Sequence, residues 1–167
     1  MKNITLLLAL MTTTSTLAQT GNAQTEKERF AQQTSVSIEI NADAAIVWTL
    51  LTQAQDIPRW NSTIVSLEGN IAVGDKIKLV SYLDPKRTFK IKVKEMEAEK
   101  HMLWGDNQGK RTFTLTPTEK GVTFSMVERM GGLMYPMYKK YLPDFDESFN
   151  KFAADLKKEA ELIANAQ

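Results

Sequence analysis

Between Ile64 and Arg129 apolar and polar residues alternate with a period of two, and after Gly131-Gly132 the period becomes helical. Ile77, Leu79 and Ser81 share one face of a predicted strand, and Phe89, Ile91 and Val93 alternate with Lys90, Lys92 and Lys94 in the next. Phe113 and Leu115 alternate with Thr112, Thr114 and Thr116, while Val122, Phe124, Met126 and Glu128 share a face in the last strand. Turn signals separate these runs at Gly74-Asp75, Asp84-Pro85, Gly109 and Lys120-Gly121. Successive side chains of a strand point to opposite sides, so the pattern specifies an antiparallel meander with one face on a core.

A one-sided sheet needs a cover. Phe145, Phe149, Phe152, Leu156 and Ile163 follow one stripe of a helix, with Glu147–Lys151 and Lys157–Glu161 spaced four apart on the other side. Proline cannot donate a helical hydrogen bond, so Pro143 divides a short helix from this long one. Upstream, residues 34–40 alternate as a half-buried strand, and Asn41 or Asp43 is placed to cap a helix through 44–51. An irregular segment around Asp56–Asn61 follows. Residues 24–33 are polar and read as a frayed lead-in. The fold class is α+β: a curved antiparallel sheet wrapped around a long C-terminal helix, as one domain over residues 34–163.

Ahead of the domain, Lys2 precedes the apolar run Ile4–Met11, too short for a bilayer span of about 20 residues. Small residues follow at Thr16-Leu17-Ala18 and Gly21-Asn22-Ala23. This order describes a secretory signal peptide within residues 1–23, cleaved after Ala18 or Ala23, and hence a periplasmic or secreted protein with no transmembrane segment in the mature chain. With no cysteine there is no lipoprotein anchor, disulfide or thiolate zinc site, and the single histidine, His101, rules out a multi-histidine metal centre. The 21 basic and 20 acidic side chains nearly cancel, so no global field draws the chain to nucleic acid. No phosphate-binding loop, acidic metal cluster or other cofactor motif is present.

The element order resembles the helix-grip fold of the START-like or Bet v 1-like superfamily (SRPBCC). Locally, Val47-Trp48, Asp56, Pro58 and Trp60 resemble the opening of bacterial polyketide cyclase/dehydrase-like domains. Leu103-Trp104-Gly105, Phe113, Leu115, Pro117, Gly121, Phe124, Glu128, Gly132-Leu133 and Pro136 resemble their second half, and Phe149-Asn150, Leu156-Lys157 and Ala160-Glu161 their end. Many relatives carry a histidine just before the strand that begins at Phe113, where this chain has Lys110-Arg111-Thr112, so an activity that depends on it is in doubt.

The resemblance implies an apolar pocket between sheet and helix; relatives bind lipids, polyketides, sterols, hormones or isoprenoid quinones, and some are cyclases or dehydratases. Leu79, Phe89, Ile91, Trp104, Phe113, Phe124 and Met126 are the inward candidates for its wall, or else packed core. Met134, Tyr138 and Tyr141 belong to a candidate gate over residues 133–141, and the methionines near it suit an adaptable apolar surface or fill core gaps. Glu128 keeps the inward phase of its strand, so its carboxylate is placed to bind a ligand hydroxyl or act as an acid or base; its alternative role is a salt bridge to Lys139 or Arg111. Asp106 and His101 flank Trp104 and read either as an acid–base pair or, the preferred reading, as turn residues. Three readings of different class result: an exported carrier of a hydrophobic small molecule or lipid, a cyclase/dehydratase-type enzyme, and an interaction domain with a filled core. The carrier reading needs only the cavity and gate, and is preferred.

Overall fold

The computed structural model describes residues 22–166. Residues 1–21 of the expected signal peptide, with its Ala18 site, lie outside the described residues. Eight antiparallel strands form one open sheet in the order β1-β2-β8-β7-β6-β5-β4-β3. The first is β1 (Gln24–Lys27), which pairs with β2 (Ala31–Ile40). Residues 24–33 are therefore a hairpin rather than a frayed lead-in. The sequence there is polar because β1 is an edge strand whose side chains are mostly exposed, and its order comes from bonds to a distant helix. Thr25 Oγ1 donates to Asp146 Oδ1 at 2.5 Å, and the Ala23 amide donates to Asn150 Oδ1 at 2.8 Å.

Next come α1 (Ala44–Thr52), a single 3-10 turn at Ala54–Asp56, and α2 (Ile57–Trp60). Asp43 occupies the position before α1, but its backbone carbonyl, not its side chain, accepts the first amides of that helix. The meander is β3 (Ile64–Glu68), β4 (Lys76–Ser81), β5 (Asp84–Glu97), β6 (His101–Gly105), β7 (Gly109–Thr118) and β8 (Gly121–Gly131). The β4–β5 turn falls at Tyr82-Leu83, not at Asp84-Pro85. Leu79 pairs with Phe89 and Ser81 with Asp84, so β5 bulges over residues 85–88, where Pro85 need not donate to the ladder. Short α3 (Tyr135–Tyr138) and a 3-10 turn (Lys139–Tyr141) precede α4 (Asp146–Ala164).

The helical stripe of α4 buries Phe149, Phe152, Ala153, Leu156 and Ala160 against the sheet. Phe152 stacks on Phe124 (centroids 6.2 Å apart) and meets Phe113 at 6.0 Å and Trp60 edge-on at 5.9 Å. Such pairs add about 0.5–1.5 kcal/mol beyond burial. Polar groups, buried at Asn61 and half-buried at Lys157 and Glu161, fasten the helix at several points. Asn61 Oδ1 accepts from the Thr63 amide and hydroxyl, and its Nδ2 donates to the Phe152 carbonyl. Lys157 Nζ donates to the Glu39 carbonyl, and Glu161 accepts the Asn41 amide. Among the described residues no helix is long and apolar enough to cross a membrane.

Candidate functional site

Where the aromatic core stops, the sheet and the start of α4 diverge and leave a cavity of about 410 Å³. Leu79, Phe89, Ile91 and Trp104 form its sheet wall. Tyr138, Tyr141, Leu142, Pro143 and Phe145 close it from the C-terminal side. The strand register explains the wall: Leu79 pairs with Phe89, Ile77 with Ile91 and Val93 with Trp104, so one face of β4, β5 and β6 is apolar throughout. Ile77 and Val93 are sealed beneath the surface, whereas Phe89 and Ile91 are half-buried and bound free volume.

Along the next row the face turns polar. Trp104 pairs with Arg111, Arg111 with Glu128, and Glu128 with Thr34. Arg111 Nε and Nη2 both donate to Glu128 Oε2, at 3.1 and 2.5 Å, with the two side chains only 18% and 19% exposed. The guanidinium also lies over the Phe149 ring, 5.2 Å from its centroid, so it is held by a carboxylate and by a helix aromatic at once. The inward phase of Glu128 and its salt bridge to Arg111 are thus both features of one arrangement. Thr63, Ser81 and Ser148 add hydroxyls to the lining. The result is an apolar chamber with a charge-neutral polar patch, able to seat an apolar body and orient a hydroxyl or carbonyl.

The remaining residues are distributed differently. Phe113, Phe124 and Met126 face inward but are no more than 1% exposed and belong to the packed core. Phe113 packs edge-on against Trp104 at 4.8 Å and so lies behind the cavity wall. They sit opposite the α4 stripe, which fills that part of the interior; periodicity alone does not distinguish a filled from an unfilled position on the same face. Met134 lies outside the main cavity, in a shallow depression with Leu133 and Met137. Asp106 reaches the cavity rim, but its Oδ1 accepts the amides of Gln108 and Gly109 and shapes the β6–β7 turn. His101 is on the opposite face of β6, near Glu97, so the two do not form a pair. Arg87 and Ser148 also line the cavity and carry no periodic signal, because the β5 bulge and the helix start that place them are tertiary features, whereas Met130, also in the lining, continues the inward phase of β8 one step past Glu128.

Burial raises the hydroxyl pKa of Tyr135 and of Tyr138, with neighbouring Tyr135 and Asp106 adding to the latter. Tyr135 donates to Gln32 Oε1 at 3.1 Å and anchors α3 to the end of β2.

No curated protein matches the chain. Solved structures of similar fold include a protein from Rhodobacter sphaeroides (14% identical, TM-score 0.62, 87% of this chain and 99% of that one covered). Another comes from Mesorhizobium loti (21% identical, TM-score 0.59, 75% and 94% covered). DynU16, from the dynemicin biosynthetic locus, is 16% identical with TM-score 0.60, over 81% of this chain and 49% of that one. At these identities the likeness is one of fold. The sequence pattern of the family described as polyketide cyclase/dehydrase and lipid transport matches residues 31–161, from the first residue of β2 into the last turns of α4. With seven of the eight strands, most of the gripped helix and the whole lining of the interior cavity inside that span, the chain belongs to the polyketide cyclase/dehydrase and lipid transport family.

Proposed function

We propose that this protein is an exported carrier that holds one hydrophobic small molecule in the cavity between sheet and C-terminal helix. Family membership supports a ligand-binding or cyclase-type role. The observation that favours binding is the polar patch: Glu128 Oε2 is occupied by two donors from Arg111, an arrangement suited to orienting a ligand. A volume of about 410 Å³ falls within the usual range for small-molecule sites, roughly 300–1,000 Å³. Export is supported by the charged, apolar and small-residue order of residues 1–23. Cleavage after Ala18 retains the Ala23 amide bond to Asn150, whereas cleavage after Ala23 starts the mature chain at Gln24, the first residue of β1.

The test is mass spectrometry of organic extracts from protein purified without detergent from its producing cells. A stoichiometric apolar compound, absent from a folded Ile91→Asp variant, is expected. A compound chemically altered relative to the cellular pool, with turnover lost in Glu128→Gln, would replace the carrier with a cyclase-type enzyme. An empty protein would contradict both.

A further inference from the structure

We infer that the cavity-mouth end of the molecule docks on an anionic phospholipid bilayer. Among the connections that the topology brings to this one end of the sheet are the β1–β2 turn, the β4–β5 turn with its bulge, the β6–β7 turn, and the segment from Gly131 to Leu142. Each of the first two ends in an exposed apolar tip: Phe30 in one, Tyr82 and Leu83 in the other. The last segment exposes Leu133 (90%), Met134, Met137 and Tyr141. Leu133, Met134 and Met137 lie against Asn107 and Gln108 of the β6–β7 turn, while Leu83, Arg87 and Tyr141 border the cavity itself. The apolar tips therefore surround the opening of the chamber.

Their backbone keeps them there. The Gly132 amide donates to the Phe30 carbonyl, and Gly132 has φ +122°, a turn that projects Leu133 away from the sheet. Tyr135, buried on Gln32, pins the segment from below.

Charge selects the occupant. Exposed Arg29, Lys86, Arg87, Lys110, Lys139 and Lys140 ring the tips. Glu28 at this end is matched by Arg129, and Asp106 is half-buried at its turn. Exposed Asp84 and Asp144 offset only part of the ring, so a near-neutral chain presents a locally cationic end. Apolar side chains that enter the headgroup layer beneath a collar of lysine and arginine are the arrangement that binds anionic bilayers. A protein partner of stated specificity would call for buried polar complementarity, which these flexible methionine and lysine side chains do not supply. Docking gives an apolar ligand a path from bilayer to cavity without crossing water; that purpose rests on the carrier reading, but the docking is measured without any ligand.

Because the chain has no cysteine, one introduced cysteine carries a polarity-sensitive fluorophore at a single site. Full-length Met134→Cys and Val73→Cys variants, labelled and mixed with phosphatidylcholine vesicles with or without 30% phosphatidylglycerol, report which end meets the lipid. Val73 is exposed in the connection at the far end of the sheet, so vesicle attachment through the apolar leader leaves both labels alike. A blue shift at position 134 only, with the anionic vesicles only, is the expected result. Lys139→Glu/Lys140→Glu, or raised salt, should weaken it roughly tenfold or more. No shift at 134, an equal shift at 73, or a shift indifferent to charge overturns docking. So does concentration-dependent self-association that Leu133→Glu abolishes in the absence of vesicles, since the apolar tips would then serve a second copy. An empty protein in the extraction experiment removes the carrier while leaving a position-134 shift intact, so the two readings fail separately.

Discussion

At the scale of single residues, the Arg111–Glu128 pair explains how a cavity in an apolar core acquires polarity without net charge. The two residues pair across β7 and β8, and the guanidinium lies over the Phe149 ring. Removing one partner leaves the other half-buried and uncompensated. Glu128→Gln or Arg111→Met should each cost about 1–3 kcal/mol in chemical denaturation, and the double variant should recover much of that loss. A double variant as unstable as the sum of the singles would show that the side chains act independently. Tyr135 gives a pH signature. Its raised pKa means that the folded state keeps the phenol proton in a range where the unfolded chain has begun to lose it. The associated stability is complete below the ordinary tyrosine value near 10 and falls as pH rises from there toward the raised folded value. The melting temperature should drop from about pH 10 upward, and Tyr135→Phe should flatten that drop; an unchanged slope in the variant would remove Tyr135 as its source.

At the scale of elements, α4 is the keystone because its aromatic stripe fills the part of the sheet that the cavity does not. Phe152 meets Trp60, Phe113 and Phe124 together. Phe152→Ala should cost about 3–5 kcal/mol in urea unfolding, whereas exposed Leu162→Ala on the same helix should change it little. Comparable costs would mean that the stripe is not the packing face. The sheet and α4 were legible because their periods of 2 and 3.6 record which side faces the core. β1 was not, because its order derives from Thr25–Asp146 and Ala23–Asn150 bonds across more than 120 residues, which leave no local pattern. The cavity was legible in part. Leu79, Phe89, Ile91 and Trp104 follow the inward phase, and so do Phe113, Phe124 and Met126, but the latter three meet α4 and are sealed. Which inward residues line space depends on where the helix diverges, a property of the packed whole.

For the whole molecule, the division of labour is spatial. The end of the sheet that carries α1 and the C-terminal turns of α4 is tied shut by Lys157, Glu161 and Asn41, while the opposite end holds the chamber and the exposed apolar tips. A closed end and an open end on one rigid sheet suit a container that is filled from one side. The central claim is that the chamber holds an apolar molecule, and titration with the neutral fluorescent probe N-phenyl-1-naphthylamine tests it most directly. Saturable binding at one site per chain is expected, lost on filling the chamber with Ile91→Trp and kept in Leu133→Glu, which alters only the outer tips. Binding that survives Ile91→Trp in a folded protein, or no saturable binding to the unaltered chain, would contradict the account.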